Sequence, residues 1–202
     1  MDQDRAIVEL VLRGETERFS ALVDRYREPL LRLALSRLGR WDWAEDAVQE
    51  TFLCAYKSLP SYRSRFSFRT WLWTILLNQC RRHVKKLQRQ QAKRSNFVGN
   101  IGRDGEDDAD LRQLADPTEG PEQQALLAER LRRIEVALRQ LRPATADAIR
   151  LRFFGELKFQ EIAEVQRCSL STAKNRVRDG LRLLNDSPWL EDQAVQDEVE
   201  QD

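Results

Sequence analysis

The chain has 202 residues, 34 Lys and Arg against 33 Asp and Glu, and 41% hydrophobic residues. That is length for one or two modest cores, in a charge-rich composition typical of helical proteins. The near-zero charge hides a division: no base follows Arg182 and seven acids fall between Asp186 and Asp202, so residues 1–185 carry a net +8, which suits a nucleic-acid binder. The longest apolar run, WLWTILL at 71–77, is too short to cross a bilayer. MDQDRAIVEL at the start lacks the pattern of a signal peptide. The expectation is a cytoplasmic chain with no membrane insertion. Cys54, Cys80 and Cys168 are scattered and His83 is the only histidine, so no metal-ligand spacing exists and reduced structural thiols are expected.

The elements follow in chain order. Phe19, Leu22, Val23, Tyr26, Leu30, Leu33 and Ala34 keep helical spacing, and Gly39 ends that run. After RWD, a second helix puts Ala44, Ala47, Val48, Phe52, Ala55 and Tyr56 on one face, until Pro60 breaks it. A third helix is predicted from near Phe66, with Phe68, Trp71, Leu72, Ile75 and Leu76 on its apolar face. Its continuation, RRHVKKLQRQQAKR, holds seven bases and no acid, the composition of a phosphate track. Periodicity then fails over 95–122, which holds four glycines, two prolines and eight acids, the composition of a mobile linker. Helical spacing resumes at Leu127, Leu131, Ile134, Leu138 and Leu141, and Pro143 marks a break. TADAIRLRFFG is a further helix, with Gly155 expected as its cap. No stretch alternates as a half-buried strand does. The fold class expected is therefore all-α: two small helical domains at 1–95 and 123–185, a flexible acidic linker at 96–122, and an acidic tail at 186–202, most simply disordered.

The segment KFQEIAEVQRCSLSTAKNRVRDGLRLL at 158–184 reads as two helices joined by a tight turn. Phe159, Ile162, Ala163 and Val165 face inward from the first. Leu170, Ala173, Val177, Leu181 and Leu184 form the expected buried stripe of the second. That leaves Ser171, Thr172, Lys174, Asn175, Arg178, Asp179 and Arg182 facing outward. Lys and Arg can address guanine, Asn can address adenine, and hydroxyls near a helix start can hold phosphate. Periodicity alone fits a solvated face on an ordinary helical hairpin as well.

This segment also resembles the last conserved region of bacterial sigma factors, particularly the extracytoplasmic-function (ECF) group. The QEIAE run and the Thr-x-Lys-x-Arg of STAKNR carry the likeness. Arg167 stands where that family usually has Gly, Gln166 replaces a usual apolar residue, and Ala173 and Gly180 differ from the commoner choices. Upstream, AEDAVQETFLCAYKSLPSYR (44–63) is similar to the helix that grips the polymerase clamp, and FSFRTWLWTILLNQCRRHVKK (66–86) to the next, promoter-handling helix. Together the resemblance covers about residues 15–185, with the motifs in the family's order.

The resemblance implies a sigma factor that binds core RNA polymerase, directs it to promoter DNA and helps melt the −10 element. By position, Asp46, Gln49 and Glu50 match the core-binding motif. From the residues alone, those acids also fit a solvated helix face. The loop and helix after them imply single-strand −10 contacts through Tyr62, Arg63, Arg65, Phe66, Arg69, Trp73, Asn78, Gln79, Arg81 and Arg82, where cations and aromatic rings interleave as single-strand binding requires. Phe68, Trp71 and Ile75 are assigned mainly to the core. Duplex contacts to the −35 element fall to Ser171, Thr172, Lys174, Asn175, Arg178 and Arg182. The linker acids Asp104, Glu106, Asp107, Asp108 and Asp110 could mimic RNA in a basic channel. Trp189 and Leu190 offer a small docking patch. An anti-sigma factor is a common partner in the family. No catalytic residue, metal or other cofactor is implied, because opening the duplex draws on binding energy. The alternative is a stand-alone helix–turn–helix regulator, which would bind duplex tightly without polymerase. A nuclease would need clustered carboxylates beside the basic surface, and the acids cluster elsewhere.

Overall fold

The computed structural model describes residues 3–63, 66–95 and 133–185, apart from the side chains of 87 and 90–95. Arg65, the acidic stretch 96–122, residues 123–132 and the acidic segment 186–202 lie outside the described residues. Every regular element described is helical. The chain falls into two compact units, Met1–Asp107 and Asp108–Asp202.

In the first unit, α1 (Gln3–Leu12) leads through a 3-10 turn at Thr16–Arg18 into α2 (Phe19–Leu38), α3 (Trp41–Ser58), a second 3-10 turn at Leu59–Ser61, and α4 (Phe68–Ser95). α2, α3 and α4 pack against one another. Leu22, Leu30, Leu33, Ala34, Ala44, Ala55, Phe68, Leu72 and Leu76 are fully buried between them, which is where helical spacing puts them. Gly39 ends α2 with left-handed backbone (φ 76°), and its N–H donates to the Leu35 carbonyl. Glycine adopts that conformation without a Cβ penalty. α1 is fastened by a buried polar contact: the Asp4 carboxylate accepts from the Tyr26 hydroxyl and the Arg25 guanidinium. Burial, then the hydrogen bond to Asp4, holds the Tyr26 phenol well above its ordinary range.

Three expectations shift here. α4 begins at Phe68 rather than near Phe66, because Ser67 caps it: its hydroxyl accepts from the Thr70 N–H at 3.1 Å. Tyr56 is exposed, and its ring lies edge-on to Phe19 at 5.2 Å. Trp73, expected in the DNA-binding set, is a core residue at 1% exposure. The helical turn that exposes Asn78 rotates Trp73 inward beside Leu72 and Leu76.

The second unit has α5 at 133–140, α6 (Pro143–Phe153), α7 (Phe159–Gln166) and α8 (Leu170–Asn185). α6, α7 and α8 pack pairwise around Leu138, Ala146, Ile149, Leu151, Ile162, Ala163, Ala173 and Val177. After α6 the left-handed residue is Glu156 (φ 51°), not Gly155. The reason lies in hydrogen bonding: the Gly155 N–H still reaches back to Arg150, and the Leu157 N–H returns to Leu151, so the reversal falls one residue later.

The buried stripe of α8 also differs from its expected register. Ala173, Val177 and Gly180 are buried and Leu184 packs on the Leu138, Ala146 and Ile149 cluster, while Leu170 and Leu181 are exposed. Gly180 explains the change. A Cβ there would lie 2.6 Å from Ile149 Cδ1 and 2.8 Å from Thr145 Cγ2, so α6 and α8 meet through a glycine contact that periodicity of large apolar residues does not reveal.

Candidate nucleic-acid interface

The turn between α7 and α8 aims the second helix. Arg167 adopts the left-handed conformation (φ 51°, ψ 50°), and the Cys168 N–H donates to the Ala163 carbonyl at 2.9 Å. A non-glycine residue there costs roughly 1 kcal/mol. Ser169 then caps α8, its hydroxyl accepting from the Thr172 N–H at 3.1 Å and bonding the Thr172 hydroxyl at 2.8 Å. Thr172 is therefore part of the cap and half-buried, unlike the exposed Ser171.

Past this cap, Ser171, Lys174, Asn175, Arg178 and Arg182 are all exposed, at positions i, i+3, i+4, i+7 and i+11. The structure thus brings them onto one face, opposite the Ala173–Val177–Gly180 stripe. Arg178 is paired only with its exposed neighbour Asp179, at 3.2 Å, a contact weak enough for DNA to replace. This is a single-faced basic helix, the form in which a recognition helix presents side chains from its N-terminal half.

A residue that sequence reasoning passed over holds this helix. Arg176 is half-buried and donates to Gln166 Oε1 at 2.8 Å, while Gln166 Nε2 donates to the Ala144 carbonyl at 2.8 Å. One glutamine thereby ties α6, α7 and α8 together. The signal was present: a polar residue where an apolar one was usual, with Arg176 at the end of Thr-x-Lys-x-Arg.

In the first unit, the loop before α4 gathers rings. Tyr62 lies 5.1 Å from Trp71 and 6.0 Å from Phe68 between centroids, and its hydroxyl donates to the Phe66 carbonyl at 2.6 Å. This bond ties Tyr62 to the residue just before the Ser67 cap of α4. Phe66 itself projects at 45% exposure, and in the same segment Arg63 is exposed and Arg69 half-buried. An exposed ring and cations in one segment are the residue types that stacking of an unpaired base uses. Arg65, predicted for the same loop, is outside the described residues.

α4 itself presents two polar faces. Asn78, Arg81 and Lys85 are exposed on one, with Arg81 donating to Asn78 Oδ1 at 3.1 Å. Gln79 and Arg82 do not join them. Gln79 is half-buried and donates to Cys54 Sγ on α3 at 2.9 Å, and both line a cleft of about 400 Å³ between α3 and α4. The opposite wall of that cleft is Asp46, Gln49, Glu50 and Leu53. The three expected polymerase-facing residues therefore share one surface. Glu45 does not line it and pairs instead with Arg27 at 3.0 Å.

Comparison with known proteins bears on both units. The family described as Sigma-70 region 2 matches residues 22–90, and Sigma-70, region 4, matches 131–184. The RNA polymerase sigma-H factor of Pseudomonas aeruginosa is 30% identical over 176 residues, 87% of this chain and 89% of the relative.

The chain belongs to the ECF group of sigma-70 factors.

An ECF RNA polymerase sigma-E factor of Haemophilus influenzae is likewise 30% identical, over 86% of this sigma factor and 89% of the relative. Solved structures share the fold at lower identity. CnrH in complex with the cytosolic domain of CnrY matches with a TM-score of 0.64 and 22% identity, over 91% of this chain and 96% of that one. The sigma factor RpoE in complex with the anti-sigma factor NepR, from Bartonella quintana, matches with a TM-score of 0.60 and 22% identity, over 82% and 93%. This sigma factor directs RNA polymerase to promoters. That assignment displaces the readings as a stand-alone regulator and as a nuclease, because the match includes both units.

Proposed function

We propose that the two units divide promoter recognition. Asp46, Gln49 and Glu50 on α3 dock on core RNA polymerase. Tyr62, Arg63, Arg65, Phe66 and Arg69, with Asn78 and Arg81 on α4, hold the unpaired strand of the −10 element. Ser171, Lys174, Asn175, Arg178 and Arg182 read the −35 element as duplex, with Thr172 fixing the helix start. The single observation that carries the reading is the one-sided exposure of the α8 set behind a capped, left-handed turn. The reading assigns no catalytic step and no cofactor: interactions with unpaired bases favour the melted state over the duplex.

No described helix is long and apolar enough to cross a membrane, and we place the protein in the cytoplasm, where its polymerase and promoter partners are. We further propose regulation by an anti-sigma factor, the kind of partner held by RpoE of Bartonella quintana in its solved complex. The domain limits proposed are 1–95 and 123–185. The test is transcription with purified core polymerase on a promoter selected by this sigma factor. Alanine at Lys174, Asn175 and Arg178 removes dependence on the −35 sequence, whereas alanine at Phe66 impairs open-complex formation and leaves −35 binding intact.

A further inference from the structure

The cleft between α3 and α4 is built from two strips of the same spacing. On α3 the strip is Asp46, Gln49, Glu50 and Leu53; on α4 it is Gln79, Arg82, His83 and Lys86. Each runs i, i+3, i+4, i+7, the spacing of one helix face. The strips differ in sign. The α3 wall carries two carboxylates and the α4 wall two permanent cations. None of Asp46, Glu50, Arg82 or Lys86 forms an ion pair among the described residues, although all four line one cleft. Leu53, 51% exposed, adds an apolar surface within it. One end is stiffened from behind: the His83 ring lies 5.6 Å from Trp43, and the Arg40 guanidinium sits over Trp43 at 4.7 Å.

These features decide what can occupy the cleft. A nucleic-acid strand carries negative charge along its whole length and would meet Asp46 and Glu50 as it approached Arg82 and Lys86. A polypeptide helix can satisfy both walls, with bases on the side facing α3, an acid on the side facing α4, and an apolar side chain over Leu53. We propose that Gln79, Arg82, His83 and Lys86 form the second, basic wall of the groove in which α3 docks core RNA polymerase, and so belong to the polymerase interface rather than to the promoter interface. α4 then works on both partners at once, with Asn78 and Arg81 towards DNA and the next face round towards polymerase. Complementary charge on two walls sets the register and orientation of the docked helix, which a one-sided acidic strip would leave free.

The proposal rests on the reading that Asp46, Gln49 and Glu50 bind polymerase, and the experiment separates the two. Core polymerase is titrated into fluorescently labelled full-length chain without DNA, for the wild type, for Arg82→Glu with Lys86→Glu, for Arg82→Lys with Lys86→Arg, and for Asp46→Lys with Glu50→Lys. Thermal melting is recorded for each. Expected is a loss of about tenfold or more in core affinity for the Arg82→Glu, Lys86→Glu pair, a size interfacial charges can carry. Melting should be unchanged and the charge-conserving pair should bind as the wild type does. The inference is overturned if the charge-reversed pair binds core normally while its preformed holoenzyme loses affinity and salt dependence on forked promoter DNA, since the cations would then be phosphate contacts. It is also overturned if the charge-conserving pair loses as much as the reversed pair. If the α3 reversal too leaves core affinity unchanged, the fault lies in the reading of α3 itself.

Discussion

α4 and α8 make the instructive comparison. Both begin with the same Ser-x-x-Thr cap, at Ser67–Thr70 and Ser169–Thr172, with matching 3.1 Å and 2.8 Å hydrogen bonds. Both then carry Asn, Lys and Arg. α8 packs on α6 and α7 along one stripe and shows a single basic face. α4 packs on α2 and α3, and a shared cleft with α3 interrupts its polar surface. Similar residues therefore acquire different partners. In α8 a base lies on the one outer face if it is exposed at all, whereas in α4 a shift of one position, from Asn78 to Gln79, turns a side chain from the outer face to α3.

That difference is open to direct attack. The largest effect is expected in α8, where the proposed reading gives the whole outer face one task. Alanine at Lys174, Asn175 and Arg178 together should lower −35-dependent transcription on the order of 100-fold or more, since each good base contact carries about 1–3 kcal/mol, with melting unchanged by circular dichroism. If the three changes act equally on promoters with and without a matched −35 element, α8 does not read sequence.

Next comes Trp73 against Phe66, two aromatic residues of one segment with opposite surroundings. Trp73→Ala should destabilise the first unit by about 3–5 kcal/mol. Phe66→Ala should leave melting within about 0.5 kcal/mol and weaken open-complex formation. The indole N–H of Trp73 is buried without a hydrogen-bond partner among the described residues, so Trp73→Phe should be far milder than Trp73→Ala. Equal melting of the two alanine variants in chemical denaturation would contradict the burial argument.

Much of this arrangement was legible in the sequence. The apolar spacing of α2 and α3 located their buried faces, Gly39 and Pro60 located their ends, and the STAKNR motif located the outward face of α8. What failed has physical causes. Helical spacing could not rank Trp73 against Phe66, because both follow the Arg-rich loop and only tertiary packing buries one. The stripe of α8 was misassigned at Leu181 because a close helix crossing uses a residue with no side chain at all. The second face of α4 escaped because seven bases within fourteen residues look uniform, whereas the cleft depends on which of them face α3. Arg167, in contrast, stood out because it occupies the family's usual glycine position, and its backbone is left-handed.

The helix junctions of the second unit sharpen the same contrast at smaller magnitude. Gly180→Val should cost about 2 kcal/mol through overlap with Ile149 and Thr145, and the loss should be visible in thermal melting. Arg167→Gly should add about 0.5–1 kcal/mol by relieving the left-handed backbone. No gain in melting temperature would mean that Arg167 makes a compensating contact.

The smallest effect is expected from α1. The folded state holds the Tyr26 proton more tightly than the unfolded chain does, so its contribution is complete below the ordinary tyrosine pKa of about 10 and is lost as pH rises above it. Melting temperature should fall above about pH 10, and Tyr26→Phe should flatten that alkaline limb. An unchanged alkaline limb in the variant would remove Tyr26 as the cause.

The most direct measurement of the central claim is a paired assay of core binding and promoter-directed transcription. It uses purified core polymerase with the wild type, the Asp46→Lys, Glu50→Lys variant and the α8 triple-alanine variant. The account predicts a new start site with the wild type, loss of both core binding and transcript with the α3 variant, and normal core binding with lost −35 dependence in the α8 variant. A wild-type chain that protects the same duplex site with equal affinity in the presence and absence of core polymerase, and yields no new start site, would contradict it.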